Sequence, residues 1–164
     1  MSNEFLGKYH LWACNESRKQ LEKLTDEEFS NNFGPIIGSI RDKVEHIILA
    51  IEFCFCRITD DTSTPEKLVE RIKNMSKIEL LKHWKQRDKE ISNGLQKATK
   101  KAIIIERMDE SSFVMNLDDF YLQYILHTVY HRGQLNYCLK ALNKERIEAD
   151  YLYFFDELNI QEDT

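Results

Sequence analysis

Apolar side chains recur along most of the chain at the spacing of an α-helix, and the polar positions that interrupt them carry the first clues to chemistry. Phe5, Tyr9, Trp12, Glu16 and Gln20 share one stripe, continued by Leu21 and Leu24, which predicts a first amphipathic helix from about Asn3 to Leu24. Thr25 with Glu28 three residues later forms a capping box, so a short helical turn begins before the Gly34-Pro35 break. A second long helix is expected from Pro35 to Arg57. Its stretch from Val44 to Ile58 is apolar except for Glu45, His46, Glu52 and Arg57, so neighbours must cover most of its circumference. Thr59 to Thr64 reads as a linker and Pro65 to Asn74 as a short helix. Ser76 with Glu79 caps a third long helix whose Ile78, Leu81, Trp84, Ile91 and Leu95 face one way. Ile103-Ile104-Ile105 and Phe113-Val114-Met115 flank a polar stretch, an irregular connector able to hold a short extended or hairpin-like piece. Asn116 and Asp119 then cap a fourth long helix, from Leu117 to Leu142, and Tyr151 to Phe155 predicts a short helix packed back on the rest.

The pattern predicts an all-α four-helix bundle with short extra helices, one domain over residues 1–164. Composition agrees, because 5 Gly and 2 Pro are too few for a turn-dense β-sandwich or barrel. The formal charge of −5 repels phosphate backbones and anionic lipid alike, so neither nucleic acid nor a membrane is expected as partner. The chain has no apolar run near the ~20 residues a spanning helix needs, and its first residues lack a signal pattern, so a cytoplasmic location is expected. Cys14, Cys54, Cys56 and Cys138 contain no C-x-x-C pair and read as reduced, mostly buried thiols. Lys97, Lys100 and Lys101 read as a solvated helix end.

The candidate chemistry lies on the fourth long helix. Phe120, Tyr124, His127, His131, Gln134 and Cys138 follow one another at four- and three-residue steps, the spacing of an inward seam. His127 and His131 therefore project from the same face one turn apart, close enough to hold one cation. That spacing alone is weak, since five histidines produce it by chance in roughly one chain in eight, so a third ligand is needed. His46 is the candidate, one of four polar residues in the apolar stretch Val44 to Ile58 of the second helix and on the face of Leu49, Ala50 and Phe53. Three imidazoles from two helices leave a fourth position for water or substrate, the layout of a catalytic site. The competing reading makes His127 and His131 core histidines hydrogen-bonded to Tyr, Gln or backbone. Gln134, one turn past His131, is the candidate catalytic residue, placed to orient a bound water or substrate; a capped core amide fits as well. Mid-helix Gly133 suggests a close approach by another helix or a ligand. Glu16 and Glu52 are candidates to offset an ion's charge, and His10 and His83 read as surface or helix-boundary residues. Glu-x-x-His, H-E-x-x-H, G-x-S-x-G and phosphate-cradling glycine loops are all missing, which argues against di-iron, acyl-serine and nucleotide chemistry.

These residues resemble the DinB family of DinB/YfiT-like metalloenzymes over nearly the whole chain. The resemblance rests on Tyr9-His10-Leu11-Trp12-Ala13-Cys14-Asn15, Gly38-Ser39-Ile40 leading to His46 and Glu52, Leu80-Leu81-Lys82-His83-Trp84, and above all His127-Thr128-Val129-Tyr130-His131-Arg132-Gly133-Gln134, which matches the signature H-x-x-x-H-R-G-Q. It implies a four-helix bundle, often a homodimer, with a divalent metal such as zinc or nickel on His46, His127 and His131. It further implies a small-molecule substrate, with a low-molecular-weight thiol as one candidate, and metal-dependent transfer, isomerisation or hydrolysis. A non-catalytic, stress-related dimeric bundle with a structural or vestigial metal site is the alternative.

Overall fold

The computed structural model describes residues 3–59, 65–97, 101–106, 109 and 111–162. In chain order the elements are α1 (Asn3–Glu22), α2 (Asp26–Ser30), α3 (Ile40–Thr59), α4 (Pro65–Lys73), α5 (Lys77–Lys97), β1 (Ala102–Glu106), β2 (Ser112–Asn116), α6 (Leu117–Ala141) and α7 (Tyr151–Glu162). The four long helices close a ring in which α1 packs on α5, α5 on α3, α3 on α6, and α6 back on α1. α3 is the shared wall. Its Ile40, Val44, Ile47, Ile48 and Ile51 are fully buried, as the near-continuous apolar run requires. Trp84 of α5 and Leu135 and Leu139 of α6 complete the same core. No helix among the described residues is long and apolar enough to cross a membrane.

The caps read from sequence are present. Thr25 Oγ1 accepts from the Glu28 N–H while Glu28 accepts from the Thr25 N–H. Ser76 and Glu79 repeat that exchange at α5, and Asn116 Oδ1 accepts the Asp119 N–H at 2.7 Å at α6. The connector holds a two-stranded antiparallel hairpin in which Ile104 pairs with Val114. The linker reading at 59–64 falls, apart from Thr59, outside the described residues, as does most of the Lys97, Lys100 and Lys101 reading; Lys101 itself is exposed.

Two expectations are corrected, and the apolar stripe of α1 divides between two clusters. The second long helix starts at Ile40 and not at Pro35. The stop is chemical: Ser39 N–H and Oγ–H both donate to Asp42 Oδ2 at 2.7 Å, and Asp42 N–H returns a bond to Ser39 Oγ, a capping box with Asp as its acid. Gly38 precedes it with φ +71, and a Cβ there would lie 2.7 Å from Asp42 Oδ2, so a side chain at this turn is strained and presses on the cap. On α1 the stripe of Phe5, Tyr9 and Trp12 does not enter the main core; it packs with Phe154 of α7 in a separate small cluster. The core face of α1 is the neighbouring one, His10, Cys14, Ser17 and Leu21. Ile78, placed inward by the apolar period, is 74% exposed, and Leu80 is buried in its stead.

Candidate metal centre

The seam of α6 does what its spacing predicts. Phe120, Tyr124, His131 and Cys138 are buried and His127 and Gln134 half-buried, and across from them α3 presents His46, whose outer edge meets solvent. His46 Nε2 lies 3.3 Å from His127 Nε2, and His127 Nε2 lies 3.1 Å from His131 Nε2. Two nitrogens bound to one tetrahedral ion at about 2.05 Å stand ~3.3 Å apart, so the spacing fits a shared divalent ion without rearrangement.

Proton accounting points the same way. The His131 Nδ1–H donates to Gln134 Oε1 at 2.7 Å, which leaves the His131 Nε2 lone pair facing His127. A proton on His127 Nε2 could satisfy one neighbouring nitrogen and would leave the other unmatched. His127 Nδ1 is itself buried with no partner among the described residues. One cation satisfies all three converging lone pairs, and no single proton does. Burial, together with His131 and His46, lowers the His127 pKa to about 4. Burial lowers His46 too, aided by the Lys43 ammonium one turn away, and burial outweighs the Gln134 bond at His131 to lower it as well. All three rings are thus neutral at pH 7, the state a metal ligand requires.

Gly133 stands beside this seam but needs no close approach within the chain: a Cβ there would meet no atom within 4 Å. Glu16 and Glu52, the candidates to offset an ion's charge, do neither. Glu16 Oε1 accepts from Lys19 Nζ on its own helix. Glu52, only 1% exposed, faces α5, where the Arg87 fork grips both its oxygens at 2.8 and 3.3 Å, His83 Nε2 donates to Oε1, and Arg71 of α4 reaches Oε1 at 3.3 Å. His83 is therefore no surface residue but a clamp on α3. Burial would raise the Glu52 carboxyl, but the His83 and Arg87 bonds and charges outweigh it and hold it at about 2. Because the folded value lies below the ordinary 4.5, the carboxylate stabilises the fold above pH 4.5, and this contribution fades as pH falls from 4.5 toward 2. It amounts to about 3 kcal/mol at neutral pH. Melting curves of the wild type and Glu52→Gln are expected to differ most at neutral pH and to converge across that acid window.

A second cluster of potential ligands, His10, Cys14 and Asp88, is wholly buried between α1 and α5. Here the carboxylate is already answered: Asp88 Oδ2 accepts from Arg18 Nη1 at 2.8 Å, and Oδ1 from Tyr124 Oη at 2.8 Å and His10 Nε2 at 3.3 Å. The cluster is a closed polar clamp, and His10, expected at the surface, belongs to it. The sequence signal that could have found it is the His10, Cys14, Ser17, Leu21 face of α1, which becomes polar in its first turns.

Beside His127 a cavity of about 290 Å³ opens between α3 and α6, lined by Ala50, Phe53, Cys54 and Arg57 of α3, Phe120, Gln123 and Tyr124 of α6, and Ile105 of β1. Ala50 and Phe53 share the His46 face as read from the sequence, and Arg57, eleven residues beyond His46, continues it: the same period carried further would have marked it.

Among solved structures the chain is similar to YfiT from Bacillus subtilis, described as a probable metal-dependent hydrolase with an unusual four-helix bundle topology, with a TM-score of 0.64 and 12% identity over 88% of this chain and 91% of that one. At that identity the likeness speaks for the fold. No curated protein matches the chain. The sequence model of the DinB family matches residues 1–163, and the chain belongs to the DinB family.

Proposed function

We propose that this protein is a metal-dependent enzyme that holds a zinc or nickel ion on His46, His127 and His131 and uses it for hydrolysis of a small organic substrate. The observation that carries the reading is the convergence of three neutral imidazole nitrogens, from two helices, at a point reached by solvent past His46 and by a small cavity past His127. A divalent ion so held supplies Lewis acidity and makes a water or thiol proton easier to lose at neutral pH. Gln134 fixes the orientation of His131, and Phe53, Phe120 and Ile105 present an apolar wall to the substrate. The description of YfiT supports hydrolysis over thiol transfer. Zinc-loaded and chelated protein compared on a panel of esters, amides and lactones, with a thiol-conjugation arm, tests this. One ion per chain and turnover only when loaded are expected. Stoichiometric ion without turnover would make the site a structural brace, and thiol conjugation alone would overturn hydrolysis.

We also propose that a second copy of the chain covers the outer face of α6. Leu122, Leu126, Val129, Tyr130 and Tyr137 stand exposed along it, Leu126 at 55% and Tyr130 at 65%, with the bare backbone of Gly133 among them. The helix begins with Asp118 and Asp119 and ends with Lys140, so antiparallel pairing of two copies sets opposite charges together. Sedimentation is expected to give a dimer for the wild type and a monomer for Leu126→Glu.

A further inference from the structure

Among the described residues the wall of the α3–α6 cavity carries no Asp or Glu, in a chain whose net charge is −5. It does carry Arg57, one of the four polar interruptions of the apolar stretch Val44 to Ile58. Its guanidinium lies over the Phe53 ring at 5.3 Å and, among the described residues, donates a single long hydrogen bond, 3.5 Å, to the Phe53 carbonyl. Among the described residues no carboxylate answers it. Phe53 itself is 38% exposed and, with Phe120 and Ile105, gives the wall its apolar part. At the opposite end the three imidazoles and the nearby Lys43 bring no negative charge to offset an ion; Glu45, next to His46 in sequence, pairs with Arg41 at 2.7 Å, and Glu52 is turned away toward α5.

α3 and α6 leave the histidines in opposite chain directions, His46 toward Arg57 and His127 toward Phe120, so the cavity is a groove that meets the triad at His127. Arg57 leans back over Phe53, seven residues from His46, which places its charge about 10 Å along the helix from the triad. We propose that the groove selects substrates built as a short apolar stem ending in a carboxylate, with Arg57 holding the carboxylate and the histidine end receiving the reacting group. The proposal rests on the metal reading above and adds the substrate class. Arg57 is a specificity residue, Phe53, Phe120 and Ile105 take the stem, and Ala50 leaves the room for it.

The test uses hydroxamates, whose head binds a zinc ion, with three tails: suberic acid monohydroxamate, its carboxamide counterpart, and acetohydroxamate, measured by calorimetry on zinc-loaded protein. The wild type is expected to bind the acid about tenfold tighter than the carboxamide, the worth of one charge-assisted pair. Arg57→Gln is expected to erase that preference while zinc content stays at the wild-type level. Ala50→Phe, which fills the groove, is expected to weaken both long probes and spare acetohydroxamate. Equal affinity for acid and amide in the wild type, or a preference that survives in Arg57→Gln, overturns the proposal and leaves the metal reading standing. Failure of acetohydroxamate to bind loaded protein rejects the metal reading and the proposal together.

Discussion

Asp88→Ala is expected to cost the fold about 3–5 kcal/mol, because it strips the counter-charge from an arginine that has no other place to go. Arg18 is buried against Trp84, its guanidinium 5.5 Å from the indole centroid, and its Nε already lacks a partner among the described residues. Removing the carboxylate would also orphan the Tyr124 hydroxyl and His10 Nε2, so one substitution unsettles α1, α5 and α6 at once. Burial alone would raise the Asp88 carboxyl, yet His10, Arg18 and Tyr124 together hold it below the ordinary range, which marks the network as net favourable to the charged form. Asp88→Asn keeps the shape and the Tyr124 bond and is expected to lose less. Replacing both members, Asp88→Leu with Arg18→Met, is expected to recover much of the loss, since an apolar pair of similar size leaves nothing uncompensated. Urea unfolding of the four proteins gives the comparison; an Asp88→Ala loss under about 1 kcal/mol would show that Arg18 finds solvent by another route.

The same network explains where reading the sequence stops. Periodicity reports which positions face inward when those positions are apolar, and on α6 it did so for Phe120, Tyr124, His127, His131, Gln134 and Cys138 because aromatic and sulfur neighbours frame the polar ones. His46 was readable for a related reason, as a polar residue on a helix that is otherwise almost all core. Asp88 offers no such contrast. It sits between Arg87 and Lys89 and has the look of one more surface charge, although its partners come from residues 78 and 70 positions away. Glu52 and His83 were hidden in the same way, each paired across a helix boundary that one strand of text does not show. α3 starts at Ile40 although Gly34-Pro35 is the stronger break in the sequence, because the reciprocal bonds of Ser39 and Asp42 fix the helix start there. Apolar pattern thus yields faces, while polar pairs between helices wait for the packing.

Loss of one imidazole from the triad is expected to remove the metal and, with it, a large heat stabilisation that only the loaded protein has. An ion present at a thousandfold over its dissociation constant adds about 4 kcal/mol to stability, which for a domain of this size raises the melting temperature by roughly 10 °C. The wild type is expected to show that rise on addition of zinc, and His46→Ala, His127→Ala and His131→Ala to show almost none. Gln134→Leu frees the His131 ring to turn and gives up the 2.7 Å bond that sets its tautomer, so a 10- to 100-fold weaker affinity and about half the rise are expected. His83→Ala, which breaks the Glu52 clamp on the other side of α3, lowers the melting temperature of both forms and leaves the zinc increment intact. In the metal-free state the sign reverses. His127→Ala discards a buried Nδ1 without a partner and relieves the crowding of three nitrogen lone pairs, so the apo variant is expected to melt no lower than apo wild type. A histidine kept for packing alone would do the opposite, costing stability when removed and leaving zinc without effect. A zinc increment that persists in His127→Ala and vanishes in Cys14→Ala would move the ion to the buried cluster at Asp88, where Arg18 already occupies the carboxylate and the geometry argues against it.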